Sequence, residues 1–294
     1  MNRRILFALA LFLLPLPVLA WGEKGHRIAS EAATFAMPPA LPPFFHQAYP
    51  NLVYLGYDPD RWRGAGDSAD AVNAPDHFLD YEYVAHLELP RDRYEMIDLL
   101  HESGTIRRFG ITTATSGFVV WRIAELSEYL ENQWRLWRRT PDGLERDQIE
   151  ANIIHFAGIL GHYVSDSANP HHSTIHYNGW VGDPARGFRN DCGTHSRFES
   201  VFVSNSVELE DALSQLRPLR PIDDYFEAAF ALIRDSNGEV VRLYELDAAG
   251  AFDDRGTDAG KAFAAERLAI GASTLRDFWV ATWNRSAGRP GTRR

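Results

Sequence analysis

From Trp21 onward, apolar residues recur at intervals of three and four, and strictly alternating runs are scarce. A chain with that period buries stripes rather than pleated faces, so it packs as helices and not as a sheet. Helices are expected over 23–36, 112–139, 144–168, 194–214, 223–235 and 257–284. Between the first two lies a stretch rich in Pro, Gly, Asp and aromatics, from Pro38 to about Gly110, which reads as irregular. A connection of that size in a compact domain usually carries function. No repeat, low-complexity tract or linker divides the chain. The expectation is an all-α fold, a single compact multi-helix domain over 21–294.

Residues 1–20 read separately. Arg3 and Arg4 precede an apolar run from Ile5 to Leu19, interrupted by Pro15 and Pro17 and closed by Ala20. The run is shorter than the ~20 apolar residues a spanning helix needs, and prolines break it. It is a secretory signal peptide by pattern, with cleavage after Ala20. No cysteine stands near that point, which excludes a lipid-modified amino terminus. The mature chain is expected to begin at Trp21, to be secreted or periplasmic without a stable membrane anchor, and to be a monomer.

The sequence has 30 basic and 40 acidic residues, a formal charge of −10, and losing Arg3 and Arg4 deepens the negative charge by two. Such a field repels polyanions and anionic membranes at long range. A nucleic acid or a lipid would need a local positive site, and a cluster of divalent cations provides one. The single cysteine, Cys192, rules out an internal disulfide, so stability falls to the core and to any bound metal. Cys192 itself reads as incidental, with zinc thiolate or nucleophile as the sharper alternatives.

Eleven histidines exceed what packing requires. On the helix expected at 144–168, Ile149, Ile153, Phe156, Leu160 and Tyr163 make one apolar stripe. His155, His162 and Asp166 share another direction about 120° away at ~100° per residue. His162 and Asp166 are four apart, one turn on the same face, and His195 and Glu199 repeat the spacing. One such pair is ordinarily an exposed helix pair. Two of them, with His172 directly after Pro170-His171, make a candidate metal-ligand set. A processed amino terminus at Trp21 would add an amine and a carbonyl oxygen near His26, and His77 sits in Asp76-His77-Phe78-Leu79-Asp80. His46, His86 and His101 lie in loops without ligand spacing. His155 and His176 are read as hydrogen-bond partners of ligands, and His171 as a substitute for His172 if the turn shifts by one residue.

Trp21, His26, the segment His162-Tyr163-Val164-Ser165-Asp166-Ser167-Ala168-Asn169-Pro170-His171-His172, and Gly193-Thr194-His195-Ser196-Arg197-Phe198-Glu199 resemble the superfamily uniting bacterial zinc-dependent phospholipase C with the fungal-type zinc single-strand nucleases. The resemblance runs in order along nearly the whole mature chain. It implies an all-helical fold whose cleft holds three zinc ions. By matching positions, Trp21 (amine and carbonyl) and His26 would bind one zinc, with Asp166 bridging to a second. The second would also take His77, His162 and an aspartate upstream of His77; His172, His195 and Glu199 would hold the third. Asp58, Asp60 and Asp67 all stand at plausible distances for the upstream aspartate. Asp60 is preferred because Asp60-Arg61-Trp62-Arg63 resembles the nuclease pattern, in which a basic residue three positions on points at the phosphate. Asp166, Asp60 and Arg63 would then carry catalysis. Such an ion cluster activates water and neutralises phosphoryl oxygens.

The two subfamilies divide on substrate. Glu199 is the residue of the phospholipases where nucleases usually carry aspartate, Ser165 and Ala168-Asn169 depart from the nuclease pattern around the bridging aspartate, and nuclease-type disulfides are missing. Phe78 and Asp80 resemble the aromatic-plus-acid pair with which nucleases stack and hydrogen-bond a base, and Arg63 fits their phosphate contact. The balance points to phospholipid head-group cleavage of the phospholipase C type. Single-strand nuclease or 3′-nucleotidase activity is the alternative, and a non-catalytic zinc-binding protein is a third reading.

Overall fold

The computed structural model describes residues 21–183 and 187–288. The expected signal peptide, 1–20, lies outside them. Six helices carry the argument: α1 (Glu23–Phe35), α2 (Val119–Trp137), α3 (Leu144–Ser167), α4 (Tyr225–Gly238), α5 (Val240–Ala248) and α6 (Asp258–Arg285). Among the described residues the only β pairings are isolated bridges, Leu79 with Gly117 and Tyr177 with Gly179. The fold is therefore all-α, a single helical domain, as the 3.6-residue period implies. No helix in the described part is long and apolar enough to cross a membrane.

Helix α3 is the central element, with α1, α2 and α6 packed along it. Its expected apolar stripe is buried apart from half-buried Phe156, and from Ala157 to Ser167 every residue is buried. Small residues permit that enclosure. A Cβ on Gly158 would lie 2.4 Å from the Leu55 Cβ, so only glycine lets the short helix Tyr49–Leu55 approach this closely. At the other end of the core, Phe45 meets Trp134 and Trp279 at 5.4 Å, and Trp134 meets Trp283 at 5.1 Å. Burying an indole of this size stabilises by roughly 4–6 kcal/mol before ordering entropy is subtracted. Buried Arg267 on α6 ties three helices together. Its Nε donates to the Ala168 carbonyl at 2.8 Å, Nη2 donates to Ser236 Oγ at 2.8 Å, and Nη1 pairs with Asp235 at 2.9 Å. Ser236 Oγ in turn donates to the Ser167 carbonyl at 2.6 Å, so the end of α3 is capped from α4 and α6.

Several expectations need correction. The stretch 38–110 is not irregular but a chain of short helices, among them Pro43–Gln47, Asp58–Arg61, Asp67–Asn73 and Arg93–Glu102. Most are too short to display a period, and several begin on a proline at the first turn. The helix expected over 112–139 breaks at Gly117, whose φ is +81°. A Cβ there would lie 2.1 Å from the Phe78 carbonyl oxygen, so the bridge to Leu79 requires glycine. The element expected over 194–214 widens to π-helical bonding over Arg197–Phe202 and ends at extended Val207. Helix α5 was not anticipated.

Candidate metal centre

Six segments bring the predicted side-chain ligands to one buried place. The amino-terminal turn of α1 presents His26; Asp58–Arg61 presents Asp60; the 3-10 turn Ala74–His77 presents His77; the last turns of α3 present His162 and Asp166; and Pro170–Ser173 with Thr194–Phe202 present His172, His195 and Glu199. All of these residues are buried. The i, i+4 spacing on α3 acts as expected: His162 Nε2 lies 3.2 Å from Asp166 Oδ2. His195 Nε2 lies 2.7 Å from Glu199 Oε2.

Backbone and hydroxyl acceptors fix which nitrogen each ring offers. Ser165 Oγ donates to the His162 carbonyl at 2.8 Å, so it can only accept from His26 Nδ1, also at 2.8 Å. His162 Nδ1 donates to the Gly56 carbonyl at 3.0 Å, and His172 Nδ1 to the His77 carbonyl at 2.7 Å. Each ring is thereby left with a lone pair on Nε2, the arrangement of a metal-ligating imidazole. The close approach at Gly158 is what brings the Gly56 carbonyl within reach of His162.

These atoms form three groups, each with one donor atom per residue lying within 4.8 Å of the others: His26, Asp60 and His162; His77, His162 and Asp166; His172, His195 and Glu199. Ligands ~2.1 Å from a common tetrahedral ion stand about 3.4 Å apart. The observed separations bracket that: His172 Nε2 to Glu199 Oε2 is 3.6 Å, His172 Nε2 to His195 Nε2 is 3.2 Å, and His26 Nε2 to Asp60 Oδ2 is 3.8 Å. Asp166 belongs to the second group and also faces the first, with Oδ1 3.3 Å from His26 Nε2 and Oδ2 3.0 Å from His77 Nδ1, while His162 is the residue those two groups share. His26 Nε2, Asp166 Oδ1 and Glu199 Oε1 are buried with no hydrogen-bond partner. Such atoms are costly unless something polar sits between them, and imidazole with carboxylate is a donor set that suits a divalent transition metal. Each of the three buried groups could hold a metal ion, with His162, which has one free nitrogen, counted in two of them.

The electrostatics agree. Burial raises the carboxyl of Asp166 to about 7 and that of Glu199 to about 8, and raises Asp60 above the usual carboxylate range. Burial likewise lowers His162 to about 4 and His195 to about 3, and holds His26 and His77 well below an ordinary imidazole. Neither acids nor bases tolerate their own charge here, and a cation reverses the balance by favouring the deprotonated form of every ligand.

Of the three upstream aspartates, only Asp60 enters a group. Asp58 accepts from Trp62 Nε1 at 3.1 Å and pairs with Arg61, and Asp67 is exposed. Arg63 Nε lies 2.9 Å from Asp60 Oδ1. Trp21 is fully buried, its Nε1 donating to the Ser165 carbonyl at 2.8 Å and its ring against Phe198. A cleft of about 310 Å³ opens over the centre, lined by Arg63, His77, Phe78, Asp80, His172 and His195. Tyr177 and His171 also line it; Tyr177 carries no ligand spacing in the sequence, and His171, the possible substitute for His172, stays outside the three groups while His172 enters the third. His155 is a correction: it is exposed and packs on Phe156, since α3 turns that face inward only in its final turns. So is His176, which stacks on Trp180 at 3.9 Å and accepts from the Val181 amide, away from every ligand. Cys192 is exposed and outside all three groups.

No family model matches this sequence, and no curated protein matches it. Among solved structures, an alpha toxin from Clostridium absonum aligns with TM-score 0.45 and 12% identity, over 92% of this chain and 65% of its own. This chain thus spans under two thirds of the toxin's length, and a likeness that distant carries no inference about either fold or activity.

Proposed function

We propose that this protein is a zinc-dependent hydrolase of phosphoric diesters, holding three ions through Trp21, His26, Asp60, His77, His162, Asp166, His172, His195 and Glu199. The observation that carries the reading is the convergence of three buried imidazole–carboxylate groups beneath one cleft that also presents Arg63. Bound zinc supplies Lewis acidity, activating water near neutral pH and neutralising phosphoryl oxygens. The chain's own residues do the rest. Ser165, Gly56 and His77 hold the imidazoles in their ligating tautomers, Asp166 faces two groups, and Asp60 steadies the Arg63 guanidinium at the cleft wall, where it can grip a phosphate.

For the substrate, the cleft favours a nucleotide. Phe78 is half-buried beside Asp80, whose carboxyl is pushed well above its usual range by burial and by Glu82. Asp80 offers a carboxyl to the hydrogen-bonding edge of a heterocycle, while the Phe78 ring provides a stacking face. The second reading, phospholipid head-group cleavage, is supported by Glu199 in place of aspartate. Metal analysis alongside a panel of phosphatidylcholine, single-stranded DNA, RNA and a nucleoside 3′-monophosphate tests both. Turnover of the nucleic acids is the expected outcome, and a zinc-loaded protein that cleaves no phosphodiester defeats the proposal.

A further inference from the structure

Every imidazole that offers one nitrogen to the centre has a second to satisfy. Three give it to an oxygen: His26 to Ser165 Oγ, His162 to the Gly56 carbonyl, His172 to the His77 carbonyl. His77 and His195 depart from that rule: His77 turns Nδ1 to its group and leaves Nε2 buried without a partner, and His195 does the converse. His195 presents Nε2 to Glu199 at 2.7 Å and to His172 at 3.2 Å, so Nε2 is the nitrogen turned to the third group. Its Nδ1 is buried without a hydrogen-bond partner. An imidazole that ligates through Nε2 carries its proton on Nδ1, and that N–H needs an acceptor to hold the ring in place.

A buried neighbour of the His195 ring is His171. It is 1% exposed, both of its ring nitrogens are buried without partners, and its ring centroid lies 4.9 Å from that of His195. The other described rings around this pair are Tyr177, 6.2 Å from His195, and Phe198 and Tyr244 against His171. Phe198 presents an aromatic edge at 5.7 Å, and the Tyr244 hydroxyl is engaged by the His176 carbonyl and the Gly179 amide. The backbone of His171 is itself fixed, its amide donating to Asn169 Oδ1 at 3.1 Å while Asn169 Nδ2 donates to Glu199 Oε2 at 2.9 Å. The torsion that turns an imidazole about Cβ–Cγ is broad and cheap. From 4.9 Å between centroids, such a turn brings the two nitrogens to a hydrogen-bonding distance of about 3 Å.

We propose that His171 is a positioning residue for the third metal group, accepting the Nδ1–H of His195 and so fixing His195 Nε2 as a ligand. It touches neither ion nor substrate. The inference rests on the metal-centre part of the proposed function and on no choice of substrate.

The test compares wild type with His171→Leu, which removes the acceptor, and His171→Gln, whose amide oxygen restores one. Zinc content is measured after dialysis against graded chelator, with circular dichroism as the check on fold. In H171L one zinc should be released at a chelator level about 10- to 100-fold lower than in wild type, with helical content unchanged, and H171Q should recover most of that loss. Imidazole nitrogen NMR of zinc-loaded wild type should show a slowly exchanging His195 Nδ1–H coupled to a second imidazole nitrogen. Equal retention by H171L and wild type, or equal loss by H171L and H171Q, overturns the role of His171 alone. A wild-type protein that takes up no third ion overturns the metal-centre reading along with it.

Discussion

Asp166→Asn should have opposite effects on the zinc-loaded and the metal-free protein. The carboxylate reaches His26 Nε2 at 3.3 Å through Oδ1, and His77 Nδ1 and His162 Nε2 at 3.0 and 3.2 Å through Oδ2. Asparagine keeps the shape, removes the charge and replaces one oxygen with a donor that cannot ligate. Losing an outer hydrogen-bond partner of a metal ligand costs 10- to 100-fold, so losing a ligand that faces two groups should cost on the order of 10³ in kcat/KM, about 4 kcal/mol on the barrier. Without metal, the carboxyl titrates at about 7 because it is buried, well above its unfolded value of 3.8. Between those values the folded state keeps a proton that the unfolded state releases. The residue's contribution to stability is therefore full below the unfolded value and is lost as pH rises through 7. At pH 8 the buried charge costs on the order of 4 kcal/mol, which asparagine avoids. Chelator-stripped wild type and D166N are melted at about pH 4 and pH 8, and zinc-loaded samples are assayed for turnover. D166N should melt higher than wild type at pH 8, with the gap closing at the acid end. A variant that keeps more than about a tenth of the activity, or whose stripped form melts below wild type at pH 8, refutes the argument.

Other outcomes follow from the same geometry. The mature protein should carry about three zinc ions and lose activity and helical stability together on chelation, because the ligands come from six separate segments; full activity with one ion or none would end the trinuclear reading. A chain that retains a methionine before Trp21 converts the terminal amine to an amide, and should lose one zinc and most activity while keeping its helical content. Parity with the correctly processed protein in metal content and rate would remove the amine from the ligand set. Gly117→Ala puts a Cβ 2.1 Å from the Phe78 carbonyl at a φ of +81°. It should destabilise by more than about 2 kcal/mol and raise KM by shifting Phe78; an unchanged melting temperature would contradict that placement.

How much of this could be read from the sequence depended on how local the signal was. His162, Asp166, His195 and Glu199 were legible because four-residue spacing has a fixed meaning on a helix, and the fold honours it. Asp60 was preferred to Asp58 and Asp67 for the basic residue three positions on, and of the three it alone enters a group while Trp62 and Arg61 occupy Asp58. His155 misled because helical phase gives direction but not depth, and α3 is enclosed only toward its end. The helices of 38–110 went unread because four to ten residues show too little period. Tyr177 and His171 enter the cleft through turns whose course depends on distant partners such as Tyr244, and no spacing encodes that.

The cap on α3 has a consequence for the order in which the molecule matures. The carbonyl of Ala168, two residues beyond Asp166, is held by Arg267, which comes 99 positions later in the chain. A nascent chain that has passed α4 already contains every proposed ligand and the Ser236 hydroxyl that caps Ser167, yet the Ala168 carbonyl still lacks Arg267. Apolar collapse can therefore run ahead of the Arg267 contacts during vectorial synthesis, and polypeptides halted before Asp258 should load metal less completely than the full sequence for want of that tie.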